Sequence, residues 1–226
     1  MLTVLEGLDG AGKSTQLKML AAYLGQRGRK VEYLHFPRYS APVYGELISK
    51  YLRGDFGSLE QVHPQLVALL FAEDRRDAAT QIRKWMDEGI CVVLDRYVYS
   101  NIAFQCAKIE SAQEAARLRD WIFDLEYKKY GIPVPDLNFF LDVPISFVDA
   151  KLKSARQGDS DRDYLNGKSD IHESSMDLQS KVRRCYLEEC RRDPDFVRID
   201  CNDCSGNMLA PEVIFEKIKS RLDTKI

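Results

Sequence analysis

The stretch Gly7-Leu8-Asp9-Gly10-Ala11-Gly12-Lys13-Ser14-Thr15 decides the fold predicted for this chain. It fits the pattern G-x-x-x-x-G-K-[ST], whose glycines let several backbone N–H groups point toward one anion. The apolar run 2–5 before it predicts a strand, and apolar residues at helical spacing after it predict a helix whose N-terminus adds partial positive charge. The stretch therefore indicates a phosphate-binding loop, and an ordinary strand–turn–helix corner is the less favoured alternative.

Two side chains of this loop suit a nucleoside triphosphate. Lys13 can reach the outer phosphates, and the hydroxyl of Ser14 can ligate a magnesium ion. The sequence therefore predicts a nucleoside triphosphate site with Mg²⁺.

The composition of the chain is that of an ordinary globular protein. Its 226 residues are enough for one α/β domain, 1–226, and its formal net charge of −2 gives no basic field that would attract a nucleic-acid polymer. No apolar run approaches the roughly 18 residues of a membrane span. The first predicted strand begins almost at Met1, which leaves no room for a targeting peptide, so we expect a cytoplasmic protein.

The six cysteines include a C-x-x-C pair, Cys201 and Cys204, with the spacing of a redox or zinc motif. Cys185 and Cys190 lie nearby, but residues five apart on a helix project about 140° from each other and do not readily face one ion. No thioredoxin-like pattern surrounds the pair, so reduced, mostly structural thiols are favoured.

Five apolar segments alternate with helical patterns along the chain. The predicted strands are 2–5, 31–36, 90–94, 135–142 and 196–200. Between the second and third we expect a helix over 44–53, a helix from Leu59 with Leu66 on its inward stripe, and a separate helix ending at Gly89. This alternation predicts a parallel sheet with helices on both faces.

Polar residues follow two of these strands, at the edge where open α/β sheets bind ligands. Arg38 follows the second strand within Phe36-Pro37-Arg38-Tyr39, and a solvated loop arginine is an equally good interpretation of it. Asp95 follows the third strand, where a metal-proximal acid is usual, and the fork of Arg96 matches paired phosphate oxygens.

Residues on the helices are candidates for holding a planar base. Phe71 and Arg75 are four apart and share a helix face, so one can stack and the other can hydrogen-bond, although a core phenylalanine with a surface arginine is the simpler alternative. Asn101, Phe104 and Gln105 share one face of the helix that follows Tyr97.

With these motifs in place, the chain resembles thymidylate kinases from the first strand to the last helix. The motifs that carry the resemblance are Asp9 in the loop, Phe36-Pro37-Arg38-Tyr39, Phe71 with Arg75, and Asp95-Arg96-Tyr97. The resemblance implies a P-loop kinase fold with a mobile lid, ATP and Mg²⁺ as cofactors, dTMP as the acceptor, and a homodimer. It implies that Lys13 and the loop amides hold the ATP phosphates, and that Ser14 or Thr15 helps to seat the metal.

The resemblance also assigns the acceptor site. Asp9 would lie beside the sugar and phosphate of dTMP, and Arg38 and Arg96 would grip that phosphate. Phe71 would stack on the thymine, with Arg75 and Asn101 at its edge. The remaining acceptor-site residues implied are Phe36, Tyr39, Tyr97 (crowding the 2′ position of the sugar), Phe104 and Gln105.

The polar segment 154–172 predicts a disordered stretch or a lid. Family members with glycine at the position of Gly10 usually supply a catalytic arginine from the lid. The common lid pattern Asp-Arg-x-Glu appears here as Asp170-Ile171-His172-Glu173, with isoleucine in place of arginine. Arg162 is our first choice for that role and Arg156 the second, which makes Lys13, Arg96, Asp9 and Arg162 the expected catalytic residues.

Two alternatives remain at this stage. One is a kinase for another pyrimidine nucleotide, and the other is a nucleotide-gated switch or ATPase. No Asn-Lys-x-Asp guanine-reading motif is present, and Asp95 is followed by an arginine rather than by a water-activating glutamate, which disfavours the switch.

Overall fold

One parallel sheet forms the centre of the protein, in a computed structural model that describes residues 1–155, 164–168, 170–173 and 175–225. Its strands are β1 (Leu2–Gly7), β2 (Val31–His35), β3 (Cys91–Asp95), β4 (Leu137–Asp142) and β5 (Phe196–Asp200). Neighbouring strands pair in the order β2-β3-β1-β4-β5, and every pairing is parallel. The predicted five-stranded parallel sheet is confirmed.

Helices connect the strands. Within the described ranges they are α1 (Lys13–Gln26), α2 (Tyr44–Leu52), α3 (Pro64–Asp87), α4 (Val98–Cys106), α5 (Ala112–Phe123), α6 (Ile145–Ala155), α7 (Met176–Arg192) and α8 (Pro211–Leu222). One group, α1 and α8, packs together and against β1, β2, β3 and β5. In a second group, α3 and α7 both pack against α4. The helices of this group also pack against β1, β3, β4 and β5. The apolar side chains of β1, β3 and β4 are buried between the helices.

The position of β1 determines where a ligand can bind. This strand lies between β3 and β4, with Leu5 in register with both Asp95 and Phe139. The loops that follow β1 and β3 therefore leave the same edge of the sheet side by side. We call this edge, where the strands end, the carboxyl edge.

Two helix predictions between β2 and β3 are wrong. The segment forms a single helix, α3, that begins at Pro64 rather than at Leu59. His63 caps it by accepting a hydrogen bond from the N–H of Gln65, and proline suits the first helical position. Leu66, expected on the inward stripe, is 64% exposed, because Val67 and Ala68 are the residues of that turn that face the core.

The helical segment between α4 and β4 changes geometry before its end. Its regular part, α5, stops at Phe123, and the chain continues as a π-helical segment over Asp124–Lys129. Such segments contain an extra residue per turn and are frequent at functional sites.

Part of the predicted lid lies outside the described residues. This applies to 156–163, and so to both candidate arginines, Arg156 and Arg162, as well as to position 169. Across the described ranges, no helix combines the length and apolar character needed to cross a bilayer.

Candidate active site

A cavity of about 490 Å³ opens at the carboxyl edge. Its lining brings together most of the residues predicted from the sequence for a nucleotide site. They are Asp9, Gly10, Ser14, Phe36, Tyr39, Phe71, Arg75, Arg96, Asn101, Phe104 and Gln105. Side chains that lie almost a hundred positions apart in the sequence therefore line the same cavity.

The phosphate-binding loop has the backbone shape that its glycines predict. Gly10 and Gly12 have φ angles of 73° and 81°, in the left-handed region that favours glycine, and α1 starts directly after Gly12. Gly7, Leu8 and Ala11 are the buried residues of the loop, and Thr15 lies in the first turn of α1. A helix N-terminus that follows a glycine-rich loop in this way can bind an anion through its backbone N–H groups.

Lys13 lies folded back over this loop. Its Nζ donates to the carbonyl oxygens of Leu8 at 3.0 Å and Gly7 at 3.4 Å. Burial and then the nearby charge of Arg96 lower the pKa of Lys13, against the raising effect of Asp95 and Asp9. A phosphate would give this buried ammonium the anionic partner that the loop carbonyls only partly replace.

Asp95 and Ser14 provide oxygen ligands that fit a magnesium ion. Asp95 is buried at the end of β3, and its Oδ2 lies 3.3 Å from Nδ1 of His35. Its Oδ1 lies 3.9 Å from Nζ of Lys13 and accepts no hydrogen bond from the described residues. Burial opposes ionisation, but Lys13 and then His35 lower the pKa of Asp95, so it is a carboxylate at neutral pH.

The described residues contain no cluster of three or more histidine, cysteine, aspartate or glutamate side chains arranged for a metal. A single carboxylate with a hydroxyl is the donor set expected for Mg²⁺, which keeps water and substrate phosphates as its other ligands.

Arg96 is placed at the junction of the two loops. It has a left-handed φ of 66°, and its backbone N–H donates to the carbonyl of Leu5 at 2.9 Å. Its Nη2 donates to Oδ1 of Asp9 at 2.6 Å, while its Nη1 donates to Oγ of Ser100 at 3.1 Å. Burial alone would raise the pKa of Asp9, but Arg96 and then Lys13 outweigh it and lower that pKa. The site thus holds a fixed cation facing the phosphate loop.

Glu6 anchors this arrangement and was missed by the sequence analysis. It is fully buried at the end of β1, and its carboxylate accepts from the backbone N–H groups of Tyr97 at 2.8 Å and Ser100 at 3.2 Å. It therefore caps the N-terminus of α4, directly after Arg96. A lone acidic residue in an otherwise apolar central strand was the signal that could have identified it.

One part of the cavity lining is contributed by helix α3. Phe71 lies along it, and Arg75 beside it is only 2% exposed, which excludes the alternative of a surface arginine. Nε and Nη2 of Arg75 donate to the two carboxylate oxygens of Glu126, at 2.5 and 2.8 Å. Nδ2 of Asn101 donates to the same carboxylate at 3.0 Å. Glu126, in the π-helical segment, was also missed by the sequence analysis.

Arg38 lies outside the cavity lining. Its Nε donates to Oδ1 of Asp74 at 2.9 Å, and its Nη2 donates to Oδ2 of Asp77 at 2.6 Å. Tyr97 also lies behind the cavity, with its hydroxyl donating to the carbonyl of Pro133 at 3.0 Å and its ring 5.8 Å from that of Phe36. The structure thus brings Arg96, but not Arg38, to the cavity.

The described part of the predicted lid forms one wall of the cavity. Tyr164 stacks on Tyr39 with ring centroids 3.8 Å apart, and its hydroxyl donates to Asp170 at 2.8 Å. Burial, followed by the charge of Asp9, raises the pKa of Asp170 to about 6. His172 lies 5.0 Å from Phe104, ring to ring.

A buried lysine supports this wall. Nζ of Lys108 lies 2.7 Å from the hydroxyl of Tyr51 and 3.0 Å from Nε2 of His172. Burial lowers the pKa of Lys108 to about 7.

The six cysteines are free thiols. In the C-x-x-C pair, Cys201 is buried and Cys204 is exposed. The two thiols therefore occupy different environments, away from the cavity lining.

Known proteins resemble this chain over most of its length. The family model described as Thymidylate kinase matches residues 5–207. A thymidylate kinase of Mycobacterium tuberculosis is 32% identical over 193 residues, which are 83% of this chain and 85% of that protein. The thymidylate kinase of Homo sapiens is 34% identical over 145 residues, 64% of this chain and 62% of the relative. The solved structure of a Candida albicans thymidylate kinase superposes with a TM-score of 0.71 at 27% identity, covering 99% of this chain and 91% of the other.

Proposed function

Since this chain belongs to the thymidylate kinase family, and is a phosphotransferase that converts dTMP to dTDP with ATP, we propose that its cavity holds dTMP against the phosphate loop. The observation that carries this placement is the contact between Arg96 and Asp9, because it sets a buried guanidinium beside the loop that binds the donor phosphates. The acceptor phosphate would lie at this guanidinium and the base at Phe71.

The chemistry that these residues perform follows from charge. Transfer between two anionic nucleotides brings like charges together, and a loose transition state leaves little covalent work for the protein. Lys13, within the loop, and Arg96, beside it, are buried cations that offset the repulsion and the charge that develops on the transferred group. Bound Mg²⁺ would neutralise further phosphate charge, with Asp95 and Ser14 as the residues that hold it. Asp9 keeps the Arg96 fork oriented until the acceptor binds.

The side chains around Phe71 favour a pyrimidine as the bound base. Phe71 offers a stacking face, and Arg75 and Asn101 present polar atoms at the edge. Phe36, Tyr39, Phe104 and Gln105 complete the enclosure. Tyr97 is proposed to restrict the 2′ side of the sugar from behind Phe36, which the resemblance to the family suggests.

Arg38 is proposed as a second phosphate ligand. Asp77 is 51% exposed at its side chain, so Arg38 can give up this hydrogen bond at little cost, while Nε stays on the carboxylate of the buried Asp74 and Nη2 on its carbonyl oxygen. The guanidinium would then present its remaining N–H groups to the acceptor phosphate without losing its anchor.

The segment 154–172 is proposed to act as a lid, with Arg162 supplying the catalytic guanidinium and Arg156 as the second choice. Closure would exclude water, which would otherwise accept the phosphoryl group. Tyr164 and His172 support this proposal, because they already contact the cavity wall.

The whole chain, 1–226, is proposed to act as one domain in a cytoplasmic homodimer, as the resemblance implies. Leu66, exposed on α3, offers apolar surface for a partner copy. Light scattering should give twice the chain mass, and Leu66→Lys should shift it toward the monomer.

An acceptor panel tests the assignment. We expect dTMP to be phosphorylated faster than dUMP, dCMP, UMP or dGMP at equal concentration. A ribonucleotide that reacts faster would point to another nucleotide kinase. ATP consumption at the same rate without any acceptor would instead support the ATPase alternative.

A further inference from the structure

Glu126 is hydrogen-bonded to two residues of the cavity lining, Arg75 and Asn101. This carboxylate is fully buried, and its two oxygens accept from three N–H donors. Arg75 supplies Nε and Nη2, and Asn101 supplies Nδ2. No atom of Glu126 lines the cavity itself, so any effect on a ligand must pass through these two neighbours.

Asn101 is held in one orientation by two acceptors. Its Nδ2 donates to Oε1 of Glu126 and to the carbonyl of Ala68, both at 3.0 Å. If the amide were flipped, its oxygen would face these two oxygens without a proton between them, which is unfavourable in a buried site. The amide nitrogen is therefore committed to these two acceptors, and the oxygen is left for another partner.

That oxygen is an unused acceptor. Oδ1 of Asn101 is buried and accepts no hydrogen bond from any described residue, although the side chain lines the cavity. Leaving a buried acceptor without a partner is unfavourable, so a ligand N–H that reaches it is favoured. Arg75, on the same side, still has N–H groups that Glu126 does not use.

We infer that Glu126 is a positioning residue that fixes the hydrogen-bond polarity of the base pocket and so selects thymine over cytosine. The pocket offers an acceptor, Oδ1 of Asn101, beside a donor, the guanidinium of Arg75. Thymine carries the complementary pair, an N3–H donor next to a carbonyl oxygen, whereas cytosine carries an acceptor at N3 next to an amino group. Cytosine therefore meets like against like at both positions. This inference rests on the proposed placement of the base.

The Glu126→Gln variant tests the inference through a ratio. The NH₂ group of a glutamine at this position must face either Nε of Arg75, or both Nη2 of Arg75 and Nδ2 of Asn101, so the three donors can no longer all be held. We expect the ratio of kcat/KM for dTMP to kcat/KM for dCMP to fall about tenfold, mainly through KM, because one buried hydrogen bond of recognition is lost. The ratio is independent of the folded fraction when both substrates are measured on one preparation.

Glu189→Gln is the matched control. Glu189 is also a buried carboxylate, 2% exposed, and accepts from Nε of Arg119 at 2.8 Å, but it does not line the cavity. Its variant should leave the ratio unchanged. If Glu126→Gln lowered both substrates equally, its role would be structural only and the inference would be overturned.

A measurement on the unaltered protein covers the case in which Glu126→Gln does not fold. The side-chain NH₂ of Asn101, assigned in ¹⁵N spectra by its loss in Asn101→Asp, should exchange slowly with solvent before any ligand is added. Fast exchange that slows only with dTMP would overturn the inference. A resonance that dTMP does not shift at all would overturn the placement of the base and the inference with it.

Discussion

Arg96 and Asp9 link the loop after β3 to the loop after β1 through a hydrogen bond of 2.6 Å between Nη2 and Oδ1. Arg96 is buried, whereas the side chain of Asp9 is 24% exposed on the cavity side. The carboxylate of Asp9 thus takes up one N–H group of the guanidinium that an anionic ligand in the cavity could otherwise bind. An incoming phosphate would compete with Asp9 for this guanidinium.

Arg96→Ala should reduce kcat by about 10²–10³-fold, because a fixed cation is removed from the developing phosphate charge. Binding of ATP, which we propose depends on the loop amides and Lys13, should change little. Steady-state kinetics and titration of an ATP analogue check the two parts separately. Arg96→Lys, which keeps the charge but loses the fork, should recover only part of the rate. Normal turnover of Arg96→Ala would remove this residue from the site.

Arg38→Ala should have two effects. Asp74, only 1% exposed, would lose its guanidinium partner, so we expect unfolding to become easier by about 1–3 kcal/mol. KM for dTMP should also rise, because the proposed second phosphate ligand is absent. Asp77→Ala is the control and should alter neither quantity appreciably. A destabilised Arg38→Ala enzyme with an unchanged KM would limit this arginine to a structural role.

Asp95→Asn should weaken the use of magnesium while preserving the shape of the site. The amide lacks the negative charge that Lys13 and His35 stabilise in Asp95, so we expect the Mg²⁺ concentration for half-maximal rate to rise about tenfold. A magnesium titration at fixed ATP and dTMP measures it. Asp200→Asn, at the end of β5 and half exposed, should leave the titration unaltered. An identical magnesium requirement in both variants would place the metal elsewhere.

Lys108→Met should change how stability depends on pH. Burial lowers the pKa of Lys108 to about 7 in the folded protein, against 10.5 as its ordinary value. Between these values the unfolded chain binds a proton that the folded chain lacks, so the free energy of unfolding rises with pH. The charge of Lys108 therefore destabilises the fold fully below pH 7, and this penalty disappears as pH approaches 10.5.

Thermal unfolding from pH 6 to pH 10 measures this effect. We expect the Tm of the unaltered protein minus the Tm of Lys108→Met to increase as the pH rises above about 7. Lys84→Met, at an exposed position of α3, should show a difference that does not vary with pH. A constant offset for Lys108→Met would mean that Lys108 titrates normally in the folded protein.

Arg162→Ala should lower kcat much more than Arg156→Ala, because we propose that Arg162 is the lid arginine nearest the transferred group. Steady-state rates of both variants at saturating ATP and dTMP give the comparison. The opposite ranking would exchange the roles of the two arginines.

The features predicted well from the sequence were those carried by local patterns. The phosphate loop follows from glycines at fixed spacing, and Asp95 and Arg96 from their position directly after an apolar strand. Parallel topology then brings these strand ends to one edge without further information. The same logic located Phe71 and Arg75, because four residues along a helix fix a common face.

The residues that were missed depend on contacts between distant parts of the chain. Glu126 lies 51 positions from Arg75, and the π-helical segment that aims it has no simple periodicity. Leu66 was misassigned because an apolar residue at helical spacing does not say which face is covered. The orientation of Arg38 was undetermined because Asp74 competes for it from a helix that the sequence placed only approximately.

The backbone of Arg96 is strained, because its φ angle lies in the left-handed region. An L-residue in that conformation costs about 1–2 kcal/mol, whereas glycine adopts it freely. Replacing this arginine by glycine would relieve that strain, but it would also remove the positive charge beside the carboxylates of Asp9 and the fully buried Glu6. The same ionic and hydrogen-bonding contacts that hold the guanidinium at the cavity therefore offset the strain in its backbone.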